Sequence, residues 1–484
     1  MTITPYRHQV EAIRKLGLPK LTGRLIADDM GLGKTLEGLL IDDELRRRSD
    51  EASDGYNHPA YKRPTLIVAP PGTHEDAWVD HILRLHGWDY PSSLIEVIDR
   101  KNRAKLSRRL QQRPLPAFVI VHYEALRLMP ELAEIAWFHV ICDEVHRVKN
   151  RAAQQTQALK KIPTFYKTGL SGTPGDDKPQ DIWSVLNWLY PKEFRSYWKF
   201  VNRYCISESD INRGTGKTFR RFTDVNKQTI GELHDIWEPW YIRRRKDDVG
   251  IDLPPKYYTE IHVDLLLGQR KAYDQMRKDM IAWIGEHEDE PLVAGQVVTQ
   301  LVRLQQFALA TVSFREDGRI KLIDPSSKLD RLEELIDGNP NESIVVFSQS
   351  RSMVDLCVRR LRARGITVVP YTGTVSAAYR TMALKQFQAG NVQVFAGTIA
   401  AGGEGITLHK SSTVAFLDRS WNPTKNVQAE DRLHRIGQEH PVQVIDFVAR
   451  DTVDRGRLQR IASKWENIRW LLGDIKAEAV QVGG

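Results

Sequence analysis

The chain has 484 residues, 41% hydrophobic and 27% charged, an ordinary globular composition whose length suggests about two to four domains. No run of about eighteen apolar residues occurs, which excludes a membrane-spanning helix, and MTITPYRHQVEAIRKL lacks the apolar core of a signal peptide and reads as the start of the folded protein. Lys plus Arg exceed Asp plus Glu by 70 to 62, a net +8, which suits a polyanionic partner and suits scattered solvated charge equally well.

The first third alternates short Val- and Ile-rich runs with helical stretches. The runs are LTGRLIADD, PTLIVAP, AFVIVHY and FHVICDE, and most end at polar or Gly/Pro residues, the pattern of buried strands in a parallel α/β sheet. The middle, from about Tyr190 to Pro325, is rich in Trp, Arg and Lys and carries the longer helical patterns PKEFRSYWKFVNRYC, TIGELHDIWEPWYIRRRKDD and QVVTQLVRLQQFAL. Ser207 to Arg220 and Phe314 to Ser327 read as loops, the latter as a linker. The last third returns to strand runs with ESIVVFSQ, GITVVPYTG, VQVFAGT, TVAFLDR and VQVIDFV. The expected organisation is an α/β lobe over 1–190, a helical insertion and linker over 191–325, and a second α/β lobe with short terminal helices over 326–484. Cys142, Cys205 and Cys357 show no paired spacing, so no disulfide framework or zinc cluster is expected and a reducing cytosol fits.

Two places carry chemistry. Asp28-Asp29-Met30-Gly31-Leu32-Gly33-Lys34-Thr35 joins the strand GRLIA to the apolar-periodic TLEGLLIDDEL. Such a turn brings backbone N–H groups and a helix N-terminus to phosphate oxygens, with Lys34 reaching the β/γ-phosphates and Thr35 holding Mg²⁺. Asp28 stands where the strict pattern has its first Gly. A second GTGKT, Gly214–Thr218, follows no apolar strand and precedes no amphipathic helix, so it reads as a basic loop. Asp143-Glu144-Val145-His146 follows the strand FHVIC. Asp143 is placed to hold Mg²⁺ and Glu144 to orient and deprotonate an attacking water.

DDMGLGKT, DEVH, LSGTP, VVFSQ, AGGEGITL and QAEDRLHRIGQ occur in this order. The series resembles the motifs of the Swi/Snf-type branch of superfamily-two helicases, over nearly the whole chain. The resemblance implies two RecA-like parallel-sheet lobes with an intervening helical insertion, ATP and Mg²⁺ as ligands, and duplex DNA held through its backbone. It places Gln9 near adenine and Asp29, Met30, Gly31, Leu32, Gly33 and Lys34 around the phosphates. His146, Ser171, Thr173 and Gln428 become coupling residues, Glu404 and Gly405 approach nucleotide and DNA, and Arg432 and Arg435 serve as arginine fingers in cis. DEVH replaces the commoner DEAH or DEGH, and Asp29 replaces the usual Glu. THEDAWVDHI matches a Gln-Trp segment loosely, with Trp78 keeping the aromatic.

The implied function is a DNA-stimulated ATPase that translocates on double-stranded DNA and remodels DNA or protein–DNA complexes. Its alternatives are a strand-separating helicase and an idle DNA-binding scaffold. A monomer of bacterial or phage origin, cytoplasmic and nucleoid-associated, with no membrane partner, is expected. The run Arg243 to Lys246 contacts DNA phosphates or braces the fold, and both remain open. Arg46-Arg47-Arg48 reads as charge suited to a helix C-terminus.

Overall fold

The computed structural model describes residues 4–51, 63–70, 77–98, 108, 115–175, 178–212, 217–250, 253–286, 294–314, 320–402, 406–435 and 437–475. Its contacts form two compact units: 1–207, 222–251 and 466–484 in the first, 208–221 and 252–465 in the second. No helix among the described residues is long and apolar enough to cross a membrane.

In the first unit, helix α1 (Arg7–Leu16) precedes β1 (Gly23–Ile26), and helix α2 (Lys34–Glu51) follows it. Strands β2 (Thr65–Ala69), β3 (Ile95–Ile98), β4 (Phe118–His122), β5 (Trp137–Asp143) and β6 (Thr164–Leu170) come next. After the pair β7 (Cys205–Asn212) and β8 (Lys217–Val225), whose residues 208–221 group with the second unit, β9 (Tyr241–Ile242) completes a seven-stranded sheet of order β3-β4-β2-β5-β6-β1-β9. All its pairings are parallel. The carboxyl ends of β5, β6 and β1 are level, because Asp143 pairs with Leu170 and Leu170 with Ile26. Loops leaving adjacent parallel strands at one edge build ligand sites, and these three carry LSGTP, DEVH and the glycine loop.

The second sheet contains β10 (Lys256–Val263), β13 (Ile344–Ser348), β14 (Val368–Tyr371), β15 (Val394–Thr398), β16 (Thr413–Phe416) and β17 (Val442–Ala449), after the small antiparallel pair β11 (Thr311–Phe314) and β12 (Ile320–Ile323). Its order is β10-β17-β16-β13-β15-β14, again parallel throughout. Alternate residues of β13 serve opposite faces: Ile344 and Val346 join one apolar cluster, Val345 and Phe347 another. Burial of both faces explains why these strands read as unbroken apolar runs rather than as alternation.

The nine expected runs are all strands, and the fold class of two parallel-sheet lobes holds. The middle is divided differently from its expected boundaries. Helices Tyr197–Tyr204, Ile230–Trp237, Leu267–Glu286 and Ala294–Leu309 are present, yet 191–325 is not a unit of its own: β9 pairs with β1, and β10 joins the second sheet along β17. The stretch 466–484 groups with the first unit, not the second. Ser207–Arg220 is largely strand rather than loop, and Phe314 and Ile320–Ile323 pair across residues 315–319. Polar strands such as CISESDIN carry no apolar run to betray them.

Candidate active site

The glycine loop is held from four directions. Gly31 and Gly33 have φ of 89° and 83°, the left-handed region in which glycine is free of steric cost. A Cβ on Gly33 would also lie 2.4 Å from Gln9 Nε2. Gln9 and His8, on α1, reach the carbonyl of Leu32 at 3.4 and 3.0 Å. Gly172 packs from the other side, where a Cβ would meet Met30 Cγ at 3.2 Å and Asp28 O at 3.3 Å. Lys34 opens α2, and its ammonium donates to Asp28 O and Asp29 O at 2.7 and 3.0 Å. Thr35 is the next residue of the same helix.

Within the Arg243–Lys246 run, Arg243 and Arg244 pair with the acids of the loop. Asp28 is fully buried. Its carboxylate accepts from Arg244 N at 3.0 Å and Arg244 Nε at 2.9 Å, and Arg244 also reaches Glu37 Oε1 at 2.5 Å. Burial, with the Asp28 carboxylate beside it, pushes the Glu37 carboxyl up to about 8. Arg243 donates to Ala27 O at 2.7 Å and Gly172 O at 3.2 Å, and pairs with Asp29 at 2.8 Å and Asp474 at 2.9 Å. It thus staples the loop after β1 to the loop after β6. These two arginines brace the glycine loop. Arg46 to Arg48 pair locally with Asp42 and Glu44.

At the end of β5, Asp143 accepts from Glu144 N at 3.0 Å and from the indole N–H of Trp78 at 3.2 Å. The loosely matched aromatic is therefore a direct partner of the acid. Burial, with the Glu144 charge beside it, pushes the Asp143 carboxyl up to about 6, an anion short of a counter-charge. Glu144 has φ 49°, ψ 54°, a left-handed conformation costly for a non-glycine residue and concentrated at functional sites. Glu144 Oε2 lies 3.3 Å from His146 Nδ1 and accepts from Ser171 Oγ at 3.4 Å, while His146 and Ser171 are 3.0 Å apart. Thr173 N donates to Ser171 Oγ at 3.2 Å. The structure brings these four residues into one polar cluster.

A second polar bridge ties α2 to the sheet. His139 is fully buried, with Nδ1 2.9 Å from Asp42 Oδ1 and Nε2 2.7 Å from Thr168 Oγ1. Burial holds its pKa below the ordinary 6.5, against the pull of Asp42. A depressed histidine takes up its proton in the unfolded chain first, so its contribution to stability is full above pH 6.5 and is lost as pH falls. The first unit is expected to lose stability on going from pH 6.5 to 5, at most ~1.4 kcal/mol per pH unit from this group. Thermal midpoints of wild type and His139→Gln across that range check it, and parallel pH profiles would refute it.

Arg432, Arg435 and Gln428 lie in the second unit. Gln428 sits on helix Pro423–Glu430. Arg435 donates to Ile406 O at 3.0 Å and Thr407 Oγ1 at 2.8 Å, and Leu408 N donates to Arg432 O at 2.8 Å. The arginine turn and the end of AGGEGITL are thus one hydrogen-bonded piece. Glu404 and Gly405 lie outside the described residues, as do Gly214 to Gly216; Lys217 and Thr218 open strand β8 rather than a helix. Sequence reasoning singled out the run holding Arg243 and Arg244 but not their partners in the glycine loop, and it missed Asp474. The available signal was local imbalance, with Asp28, Asp29 and Glu37 set against Lys34 alone.

The SNF2-related domain family matches residues 8–310, and the helicase conserved C-terminal domain matches 327–437. The chromodomain-helicase-DNA-binding protein 1-like of Danio rerio is 28% identical over 484 residues, covering 96% of this chain and 43% of that protein. The ATP-dependent DNA helicase DDM1 of Arabidopsis thaliana is 28% identical over 469 residues, covering 91% and 58%. The chain thus spans about half the length of these curated relatives. The solved SWI2/SNF2 ATPase core of Sulfolobus solfataricus in complex with dsDNA is 23% identical, with a TM-score of 0.43, covering 97% of this chain and 99% of that one. The curated relatives named are those of a fish and a plant, and the expected bacterial or phage source finds no support in them. The chain belongs to the SNF2-related domain family.

Proposed function

We propose that the chain is a DNA-stimulated ATPase that translocates along duplex DNA and remodels DNA or protein–DNA complexes. The observation that carries the reading is the alignment of three strand ends in one sheet. β1 leads into the glycine loop and Lys34, β5 ends in Asp143 and Glu144, and β6 leads to Ser171. Lys34 and the loop N–H groups suit a triphosphate. Asp143 and Thr35 are the residues that would hold Mg²⁺, and a cation there would relieve the charge shortage at Asp143. The ion supplies charge neutralisation at the phosphates. Glu144, held by His146 and Ser171, is placed to orient and deprotonate water, and a shift in that cluster would alter its readiness. Turnover on this reading requires Arg432 and Arg435 of the second unit as well as the acids of the first.

The test is ATP turnover without nucleic acid and with duplex DNA, single strands or RNA. Duplex is expected to stimulate most, with strong salt dependence because backbone phosphates are the ligand. Equal rates on all four, or stimulation by RNA alone, would sink the proposal. Robust unwinding of a blunt duplex would favour a strand-separating helicase instead.

A further inference from the structure

The helix Val453–Leu472 ends in a glycine turn that sets one carboxylate against Arg243. Gly473 takes φ 82°, Gly473 N donates to Trp470 O at 3.2 Å, and Asp474 N donates to Arg469 O at 2.9 Å. This pair of bonds closes a helix C-terminus around a left-handed glycine. Side chains of the first unit hold the last carbonyls of the helix. Leu472 O accepts from Tyr241 Oη at 3.0 Å, and Leu471 O lies 3.0 Å from His234 Nε2. Arg243 is two residues beyond Tyr241, and Asp474 takes its guanidinium as a fork. Oδ1 accepts from Nε at 2.9 Å and Oδ2 from Nη2 at 2.9 Å. Nη1 donates to Ala27 O at 2.7 Å and Gly172 O at 3.2 Å, and Nη2 lies 2.8 Å from Asp29 Oδ1. An arginine carries five N–H donors in a rigid planar fork. Here five acceptor atoms meet that fork, two of them on Asp474. The Arg243 and Asp474 side chains are 9% and 6% exposed.

We propose that Asp474 is a positioning residue for the nucleotide site: by fixing one edge of the Arg243 guanidinium it aims the other N–H groups at Ala27 O, Asp29 and Gly172 O, and so sets the shape of the glycine loop. A planar fork held at both Nε and Nη2 cannot turn, so the direction of Nη1 follows from where the carboxylate stands. Ala27 and Asp29 bracket Asp28 at the entry to the loop, and Gly172 stands between Ser171 and Thr173. One guanidinium therefore keeps the glycine loop in register with the segment that carries Ser171. Without the Asp474 carboxylate, Arg243 keeps Asp29 as its ionic partner among the described residues. The pull of that single acid then competes with the two carbonyls for the guanidinium, and the loop loses its fixed shape. The inference rests on the ATPase reading above, in which this loop holds the phosphates.

The test is equilibrium binding of Mg²⁺-ATP and of duplex DNA, beside steady-state ATPase, on the full chain. The proteins are wild type, Asp474→Asn, Asp474→Glu, Arg243→Met and the double variant Arg243→Met/Asp474→Asn. Asp474→Asn keeps the shape of the side chain and removes its charge. It is expected to weaken ATP binding and raise KM for ATP about 10-fold, the scale of a lost partner behind a ligating group. Duplex affinity should hold, and kcat at saturating ATP should move less than KM. Asp474→Glu keeps the carboxylate and should retain part of the affinity. Because Asp474 acts through Arg243, the double variant should bind ATP as Arg243→Met does, with no added loss. The double variant also lacks the buried charge that Arg243→Met strands; where that single variant fails to fold, the double variant should bind ATP no better than Asp474→Asn. Thermal midpoints are measured alongside. A wild type that binds ATP, with Asp474→Asn binding it equally well, overturns the inference and leaves the ATPase reading intact. Loss of ATP and duplex affinity together, tracking a lowered midpoint, overturns it in favour of a structural brace. A double variant weaker for ATP than Arg243→Met overturns the route through Arg243. A wild type that binds no ATP overturns both readings.

Discussion

Arg435→Ala is expected to keep nucleotide and duplex affinity while losing turnover by on the order of 10³-fold, the scale of an arginine acting on a transferring phosphoryl group. The guanidinium belongs to the second unit, whereas Lys34, Asp143 and Glu144 belong to the first. On the proposed function, the residues assigned to phosphate binding and those assigned to charge stabilisation belong to different units. An arginine used only in the transition state lowers kcat and kcat/KM together and spares ground-state binding. Arg435 also donates to Ile406 O and Thr407 Oγ1, so its removal frees one end of the segment that follows Gly405. Arg435→Lys separates the two contributions: it keeps the charge and loses the planar fork, and should fall between wild type and alanine. Equilibrium binding of ATP and duplex, beside ATPase rates, decides the matter. Loss of ATP binding together with turnover would make the arginine structural.

Much of this site was legible because it is local. A strand, two glycines, a lysine and the start of a helix lie between Gly23 and Thr35, and each has its own sequence signature. Asp143 and Glu144 were readable for the same reason, as acids ending an apolar run. What could not be read was long-range electrostatics. Arg243 and Arg244 look in sequence like any basic run, and only the pairing of β9 with β1 delivers them to Asp28 and Asp29. Asp474 was hidden likewise, since nothing near it predicts that its carboxylate meets Arg243. Strand β6 escaped because TFYKTGL carries polar groups that find partners only once folded: Thr168 meets His139, and Lys167 donates to Trp188 O at 2.7 Å.

The departure of Asp28 from the strict phosphate-loop pattern leads to the second large effect. Restoring the pattern with Asp28→Gly should harm the protein, because Asp28 is the counter-ion that lets Arg244 be buried. Its loss leaves Arg244 facing Glu37, and without the Asp28 charge the Glu37 carboxyl should ionise more readily and take over part of the pairing. The expected cost is about 1–3 kcal/mol, as for a buried polar group losing one partner. Arg244→Met is worse. It strands two fully buried acids, Asp28 and Glu37, with no arginine between them. Breaking a buried pair by removing one member costs about 3–5 kcal/mol, which lowers the midpoint of a unit of this size by on the order of 10 °C. Combining Arg244→Met with Asp28→Asn and Glu37→Gln removes both stranded carboxyl groups and should recover much of the loss. Thermal unfolding of wild type and the three variants checks the order, wild type above Asp28→Gly, Asp28→Gly above Arg244→Met, and the triple variant above Arg244→Met alone. If Asp28→Gly were as stable as wild type, the carboxylate would be a bystander and the arginine brace would have to rest on Asp29 and Glu37.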